Sequence, residues 1–162
     1  MANQLSISDV ILPNTIDLDV TGVQNKDEIF QHMVKMLYRA DVIGSEREFL
    51  KAIYEREALG PTYMGDLIAI PHGKSDTVKR TGIAFCRCNE SFYYTTKDGD
   101  GGDTSLVFML AIPDQMSADD YIRILAKLAR LLVYPDFISD LNRVKSYSHL
   151  IDAIKDCERL LE

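Results

Sequence analysis

Leu67-Ile68-Ala69-Ile70-Pro71-His72-Gly73 is an apolar run that stops at a proline and places a histidine directly beyond it. An apolar run before a turn signal predicts a buried strand over residues 67–70. Pro71 has no N–H to donate to a sheet, so we expect the strand to end there. His72 is therefore expected on a loop at the end of a strand, where another molecule can reach its ring.

The local pattern supports two interpretations of His72. Gly73 removes side-chain bulk beside the imidazole and permits an unusual backbone angle, which favours close approach of a second molecule. A turn histidine without a chemical role is the alternative, because single histidines are common in loops. The stretch alone leaves both interpretations open.

Length and composition predict one globular domain spanning residues 1–162. The chain has 162 residues, of which 46% are hydrophobic, which is enough to bury a core. No apolar run approaches the ~20 residues needed to cross a bilayer, and residues 1–4 lack the start of a secretion signal. We therefore expect a cytoplasmic protein. Its three cysteines, an odd number, predict reduced thiols rather than a disulfide framework.

The net charge and the spacing of one aspartate-rich loop argue against several classes of ligand. A formal charge of −7 disfavours nucleic acid and anionic lipid as partners, since both are bound largely through Lys and Arg. The segment 98–103 reads Asp-Gly-Asp-Gly-Gly-Asp, but its spacing departs from the EF-hand pattern and no glutamate closes it. We expect a flexible hairpin loop there and no metal site.

Periodicity predicts an α/β protein. Residues 16–20 alternate like a half-buried strand. Asn25 and Ser45, each followed by a glutamate three residues later, predict the starts of two helices. The first helix is expected to end near Asp41, and the second to reach Arg56-Glu57 before the break at residues 60–61.

The second half of the chain predicts a central strand and covering helices. Further strands are expected over residues 82–87 and 105–112, and the latter is apolar on both faces, as is typical of a strand covered by helices on both sides. A helix from Ser117 or Ala118, a short segment at 137–141 and a helix from about Ser146 complete the chain. The predicted fold class is a single-domain α/β sandwich with a central mixed β-sheet flanked by helices on both faces.

Several segments, taken in order, resemble the enzyme IIA domains of the bacterial phosphoenolpyruvate-dependent sugar phosphotransferase system (PTS), of the fructose and mannitol type. The resemblance spans almost the whole chain, and its order and spacing are more specific than any one motif. It is carried by Arg56-Glu57, Thr62, residues 68–73, and residues 106–113 followed by 125–132.

The resemblance implies a phosphoryl relay. In that family the histidine of the Pro-His-Gly turn accepts a phosphoryl group from the phosphocarrier HPr and gives it to a cysteine of a IIB component. By resemblance His72 is that histidine, and the partners are HPr and an EIIB domain or protein. No metal or organic cofactor is implied, and contact with the membrane is expected only through the transporter complex.

The chemistry of the residues agrees with this role. A neutral imidazole is a good nucleophile near pH 7 because its ordinary pKa is ~6.5, and the N–P bond it forms stays reactive. Phosphoryl transfer needs cations or donors around the phosphoryl oxygens. The guanidinium of Arg56 can contact two of them, and the resembling family places an arginine of this motif beside the histidine. The Thr62 hydroxyl and the amides of Gly73 and Lys74, as a small anion nest, are further candidate donors.

Each of these residues also has an interpretation without function. Arg56 near a helix end is consistent with a favourable cation against the helix dipole or with a surface ion pair, and Thr62 with a turn cap. Many members of the resembling family carry a second histidine where this chain has Tyr121. A phenol can donate a hydrogen bond but stays uncharged near neutral pH. Tyr121 is thus predicted either to line the site in a modified role or to be a bystander.

Two functions from different classes stay open, beside an inert His72 on the same fold. The first is a relay in sugar uptake, and the second is a regulatory binding module whose phosphorylation at His72 signals nutrient state to protein partners. His32 and His149 share no motif with His72 and are predicted to be solvated or packed. Cys86 and Cys88 are predicted core residues, because two thiolates are too few for a structural zinc site.

Overall fold

The computed structural model describes residues 5–161 of the chain. A 3-10 turn at Ile7–Asp9 precedes strands and helices in the order β1 (Ile11–Val20), α1 (Lys26–Arg39), α2 (Glu46–Glu57), β2 (Tyr63–Gly65), β3 (Leu67–Ala69), β4 (His72–Ser75), β5 (Gly82–Tyr94), β6 (Gly102–Pro113), α3 (Ala118–Leu131), α4 (Pro135–Leu141) and α5 (Tyr147–Arg159).

The strands form one mixed sheet in the order β1-β5-β6-β3-β2, with β4 also paired to β6. β1 runs parallel to β5, β6 runs antiparallel to β5 and parallel to β3 and β4, and β2 runs antiparallel to β3. The predicted mixed sheet is therefore confirmed.

Helices cover both faces of the sheet, as predicted. Successive side chains of a strand point to opposite faces, so Ala84 and Cys86 of β5 pack in the core under α1 and α2. Ile83 and Phe85 of the same strand pack in a second core under α3, α4 and α5. The two cores explain why residues 83–86 of β5 and 106–112 of β6 are apolar on both faces of the sheet.

The predicted helix starts are confirmed by capping hydrogen bonds. The side chain of Asn25 accepts a hydrogen bond from the backbone N–H of Glu28, and Ser45 accepts one from Glu48. Ser117 caps α3 in the same way. A polar cap satisfies backbone donors that the first helical turn leaves free, which is why these residues end the preceding loops.

Several strands are longer than predicted. β1 starts at Ile11, and β5 continues to Tyr94. The extension of β5 was hidden because its pairing with β6 is irregular between Arg87 and Phe92, where the alternation of apolar residues is lost. The predicted hairpin loop over 98–103 is confirmed as the connection between β5 and β6, although β6 already begins at Gly102.

The strand ends before Pro71, as predicted, but the prediction that His72 lies on a loop is wrong. β3 and β4 lie end to end along β6 without a change of register, since Ala69 is opposite Val107 and His72 is opposite Leu110. Pro71 cannot donate to the ladder, but its carbonyl accepts the Leu110 N–H at 3.0 Å. The pairing thus continues past the proline, and His72 is the first residue of β4.

None of the helices within residues 5–161 combines the length and the apolar character that a bilayer crossing requires.

Candidate functional site

The ring of His72 is held by the backbone just before it. Its Nδ1 lies 2.8 Å from the carbonyl oxygen of Ile70. Because a carbonyl only accepts, Nδ1 carries the proton in this contact. The lone pair of the neutral ring is then on Nε2, which is the nitrogen that a reaction would use.

Nε2 of His72 reaches solvent even though the residue is only 5% exposed. In the described part of the chain, no buried side-chain nitrogen or oxygen lacks a hydrogen-bond partner. The one hydrogen bond that the ring forms with these residues is through Nδ1. Nε2 is therefore the accessible corner of a mostly buried ring.

The surroundings keep the ring neutral. Burial lowers the pKa of His72 below its ordinary 6.5, because the charged imidazolium loses hydration. The positive charge of Arg56 lowers this pKa further, whereas the Ile70 carbonyl and the Glu57 carboxylate oppose both effects. Lowering prevails, so the ring is an uncharged nucleophile at neutral pH.

Arg56 lies in the last turn of α2, as predicted, and close enough to the sheet for its charge to act on both His72 and Tyr121. One guanidinium nitrogen, Nη1, donates to the Gly60 carbonyl at 2.9 Å. No carboxylate pairs with Arg56 within residues 5–161. Its charge is therefore uncompensated by a local anion, which suits an anionic ligand better than a surface ion pair.

The structure gives a different explanation for a glycine at position 73 from the predicted one. A Cβ at this position would lie 3.3 Å from the Cβ of Ala52 and 3.3 Å from the backbone N of Ile53. The space beside Gly73 is filled by α2, so the missing side chain lets helix and strand pack closely. The predicted anion nest of Gly73 and Lys74 amides is not formed, because successive amides of an extended strand point in opposite directions.

Lys74 and Tyr121 complete the polar surroundings of His72. The rings of His72 and Tyr121 are 5.9 Å apart with an interplanar angle of 79°. The Nζ of Lys74, two residues after His72 and on the same side of β4, lies 5.8 Å from the centroid of the Tyr121 ring. Burial raises the pKa of Tyr121, so its phenol stays protonated at neutral pH. We name His72, Arg56, Lys74 and Tyr121 the open cluster.

The hydroxyl of Thr62 is hydrogen-bonded to residues outside the open cluster. It donates to the carboxylate of Glu57, and its oxygen lies 2.6 Å from the Tyr94 hydroxyl. Tyr94 is also 3.1 Å from the same carboxylate, and the Nζ of Lys26 is 3.3 Å from its other oxygen. We name Lys26, Glu57, Thr62 and Tyr94 the closed cluster.

Two members of the closed cluster, Lys26 and Tyr94, were not predicted from the sequence. No local pattern marks them, since each lies more than 30 positions from its partners along the chain. Glu57 carried a signal, because it adjoins Arg56 in a segment on which the resemblance depends.

The other histidines and the cysteines lie apart from both clusters. His32 pairs with Asp17, whose Oδ2 is 2.9 Å from Nε2 of the ring, and His149 is exposed in the first turn of α5. Cys86 and Cys88 are buried, as predicted, and burial raises the pKa of Cys88 to about 11. Within residues 5–161 no group of His, Cys, Asp and Glu side chains is arranged to hold a metal ion.

A cleft between α4 and α5 has a volume of about 430 Å³ and differs chemically from the His72 site. Its lining includes Asp136, Asp140 and Asp156 and no member of either cluster. A cleft with three carboxylates is a poor place for a phosphoryl anion.

Comparison with known proteins agrees with the fold. The family model described as "Phosphoenolpyruvate-dependent sugar phosphotransferase system, EIIA 2" matches residues 9–157. The chain is 33% identical over 129 residues to a nitrogen regulatory protein of Bradyrhizobium diazoefficiens. This match covers 79% of this chain and 80% of that protein.

Two further relatives differ in extent. The fructose-specific EIIABC component of Bacillus subtilis is 28% identical over 155 residues, and the match covers 96% of this chain and 24% of that protein. The crystal structure of the nitrogen regulatory protein IIA-Ntr from Neisseria meningitidis has a TM-score of 0.80 at 28% identity, covering 91% of this chain and 98% of that one. The chain thus spans about a quarter of the multi-component relative and nearly all of the shorter one.

The mixed sheet covered by helices on both faces and the match over residues 9–157 define the class of protein. The chain belongs to the EIIA components of the phosphoenolpyruvate-dependent sugar phosphotransferase system, fructose/mannitol type.

Proposed function

We propose that this chain relays a phosphoryl group through Nε2 of His72, from phospho-HPr to a cysteine of a IIB component during sugar uptake. One observation carries the proposal. Nε2 is the free and solvent-reaching nitrogen of a neutral ring whose other nitrogen is held by Ile70, and the unpaired Arg56 acts on the same ring.

The reaction needs two transfers and no further reactant. In the first, the Nε2 lone pair attacks phosphorus, and the bond from phosphorus to the donor's histidine nitrogen breaks as the new N–P bond forms. In the second, a cysteine thiolate forms an S–P bond while the Nε2–P bond breaks, and the electron pair returns to Nε2. The neutral ring is thereby regenerated with its Nδ1 proton in place.

The open cluster supplies the charge complementarity that this transfer requires. We assign Arg56 to bind phosphoryl oxygens, since its remaining N–H groups and charge are unpaired within the described residues. Lys74 adds a second cation, and the Tyr121 hydroxyl is a neutral donor at the position of the family's second histidine. Gly73 contributes by permitting close packing of α2, and the Thr62 hydroxyl, which is bound to Glu57, is not assigned to the phosphoryl group.

The proposed partners follow from the family. A IIB partner is supported by the Bacillus subtilis relative, whose name joins A, B and C components in one protein. HPr is proposed as the donor because EIIA components take part in a phosphoenolpyruvate-dependent system. We propose that the chain acts as one EIIA unit in the cytoplasm and that it contacts the membrane only through its partners.

A regulatory role is the second candidate. It is supported by the relative of Bradyrhizobium diazoefficiens and by the structure from Neisseria meningitidis, both named as nitrogen regulatory proteins. In that role phosphorylation of His72 would change contacts with protein partners without onward transfer.

The test mixes the protein with phosphoenolpyruvate, enzyme I and HPr and follows intact mass. The wild type and the control His149→Gln are expected to gain one acid-labile phosphoryl group, and His72→Gln none. Equal labelling of His72→Gln would contradict the site assignment. Addition of a IIB domain is expected to remove the group from the wild type, whereas a stable phosphoprotein would favour the regulatory role.

A further inference from the structure

Glu57 combines burial, charge and a position next to Arg56. The residue is 7% exposed. Its carboxylate accepts hydrogen bonds from the Thr62 and Tyr94 hydroxyls and pairs with the Lys26 ammonium. A buried carboxylate is costly unless such donors surround it. A series of hydrogen bonds connects Glu57 to the imidazole of His72 by way of Thr62 and Ile70.

Two backbone hydrogen bonds connect Thr62 to His72. The carbonyl of Thr62 accepts the N–H of Ile70 at 2.9 Å. The carbonyl of Ile70 in turn accepts the Nδ1–H of His72 at 2.8 Å. Pro71 follows Ile70, and a residue before proline is restricted to extended conformations. Fixing the N–H of Ile70 therefore also fixes the direction of its carbonyl.

The Lys26 ammonium offsets part of the charge of Glu57, which otherwise acts on His72. The Nζ of Lys26 lies 3.3 Å from the carboxylate and 5.2 Å from the centroid of the Tyr94 ring. The ion pair compensates the carboxylate in the interior. Arg56 is left as the cation facing His72, although the two residues are neighbours in sequence.

We propose that Glu57, acting through Thr62, is a positioning residue that holds the Ile70 carbonyl and thereby the orientation and Nδ1–H tautomer of His72. Its consequence for catalysis rests on the proposed relay. A ring that turned, or that moved its proton to Nε2, would present no lone pair to phosphorus.

Thr62→Val tests the proposal, because valine keeps the shape and the backbone carbonyl but removes the hydroxyl that Glu57 holds. Thr62→Ser is the conservative partner, and Glu57→Gln removes the charge. Thr15→Val is the matched control, since Thr15 is a fully buried threonine that binds the Ile83 carbonyl in another part of the sheet. Thermal melting of each variant establishes that it folds.

Two measurements are made on each folded variant. Long-range ¹H–¹⁵N NMR spectra of the imidazoles report which nitrogen of His72 carries the proton, and initial rates report phosphorylation by phospho-HPr. We expect Thr62→Val to show a mixture of tautomers and to be slower by about tenfold or more, because small misplacement of a reacting group is costly. Thr62→Ser is expected to regain most of the Nδ1–H tautomer and of the rate, and Thr15→Val to match the wild type in both.

Two results would overturn the proposal. One is a wild-type tautomer and rate in folded Thr62→Val. The other is a reduced rate with an unchanged tautomer, which would mean that Thr62 acts directly on the phosphoryl group. If the wild type itself takes no phosphoryl group, the proposed relay fails, and the tautomer of Thr62→Val still decides whether this route positions the ring.

Discussion

The open and closed clusters contain the neighbouring residues Arg56 and Glu57 and differ in whether their charges are paired. In the open cluster, Arg56 and Lys74 have no carboxylate partner within the described residues, and Nε2 of His72 reaches solvent. In the closed cluster, the carboxylate of Glu57 is surrounded by its partners. If the proposed relay holds, this difference means that binding the phosphoryl group and fixing the histidine are separate tasks, divided between the neighbouring residues Arg56 and Glu57.

The variant Arg56→Ala tests the difference between the two clusters most strongly. Removing the unpaired cation is expected to slow phosphoryl transfer by roughly 10²–10³-fold, the usual effect of losing a donor to developing charge. Stability should change by less than about 0.5 kcal/mol, since the side chain is half-buried and makes one hydrogen bond. Transfer rates and chemical denaturation measure the two effects. Arg47→Ala, at the exposed start of the same helix, is the control, and equal rates for the two variants would remove Arg56 from the mechanism.

Glu57→Ala should have its main effect on stability. The change leaves the Lys26 ammonium and two hydroxyls without their acceptor, so we expect a loss of about 3 kcal/mol in the free energy of unfolding. Chemical denaturation measures it, with the exposed neighbour Glu55→Ala as control. A loss no larger than that of the control would show that the closed cluster does not stabilise the fold.

Tyr121→Phe sharpens the comparison within the open cluster. It keeps the ring against His72 and removes only the hydroxyl, so transfer is expected to slow by about tenfold, as for one hydrogen bond to a charged group. The control is Tyr134→Phe, on the acidic cleft. An unchanged rate in Tyr121→Phe would make this residue a bystander.

The smallest effect concerns pH. Because burial and Arg56 lower the pKa of His72, phosphorylation should be independent of pH above 6.5 and decline as pH falls through the folded pKa. The folded ring binds its proton less tightly than the unfolded one, so stability is also lost as pH falls below 6.5. Unfolding at about pH 8 and at about pH 5 should show a larger loss in the wild type than in His72→Gln. The same loss in both would place the titration elsewhere.

Local features of the fold were predictable from sequence, whereas distant pairings were not. Asn25, Ser45 and Ser117 act on backbone groups within their own helix, so their caps could be inferred from spacing alone. The second strand, β4, which begins at His72 just after Pro71, depends on pairing with β6, more than 30 residues away. Its pairing was invisible to a rule that concerns only the missing N–H of proline.

In the site, too, residues marked by a local motif were predicted and contacts between distant residues were not. His72, Arg56 and Tyr121 were named from motif and resemblance, and the structure brings them together. The contact of Thr62 with Tyr94 joins residues 32 positions apart, so its hydroxyl was assigned to the phosphoryl group instead. The reason for Gly73 was missed in the same way, because α2 fills the space beside it.

The central claim is that Nε2 of His72 is the phosphoryl acceptor because Nδ1 is held by the Ile70 carbonyl. The most direct measurement is ¹⁵N and ³¹P NMR of the protein phosphorylated through HPr, with its histidines labelled. We predict a single phosphohistidine at position 72 with phosphorus coupled to Nε2 and a proton retained on Nδ1. Phosphorus on Nδ1, or on His32 or His149, would contradict the account.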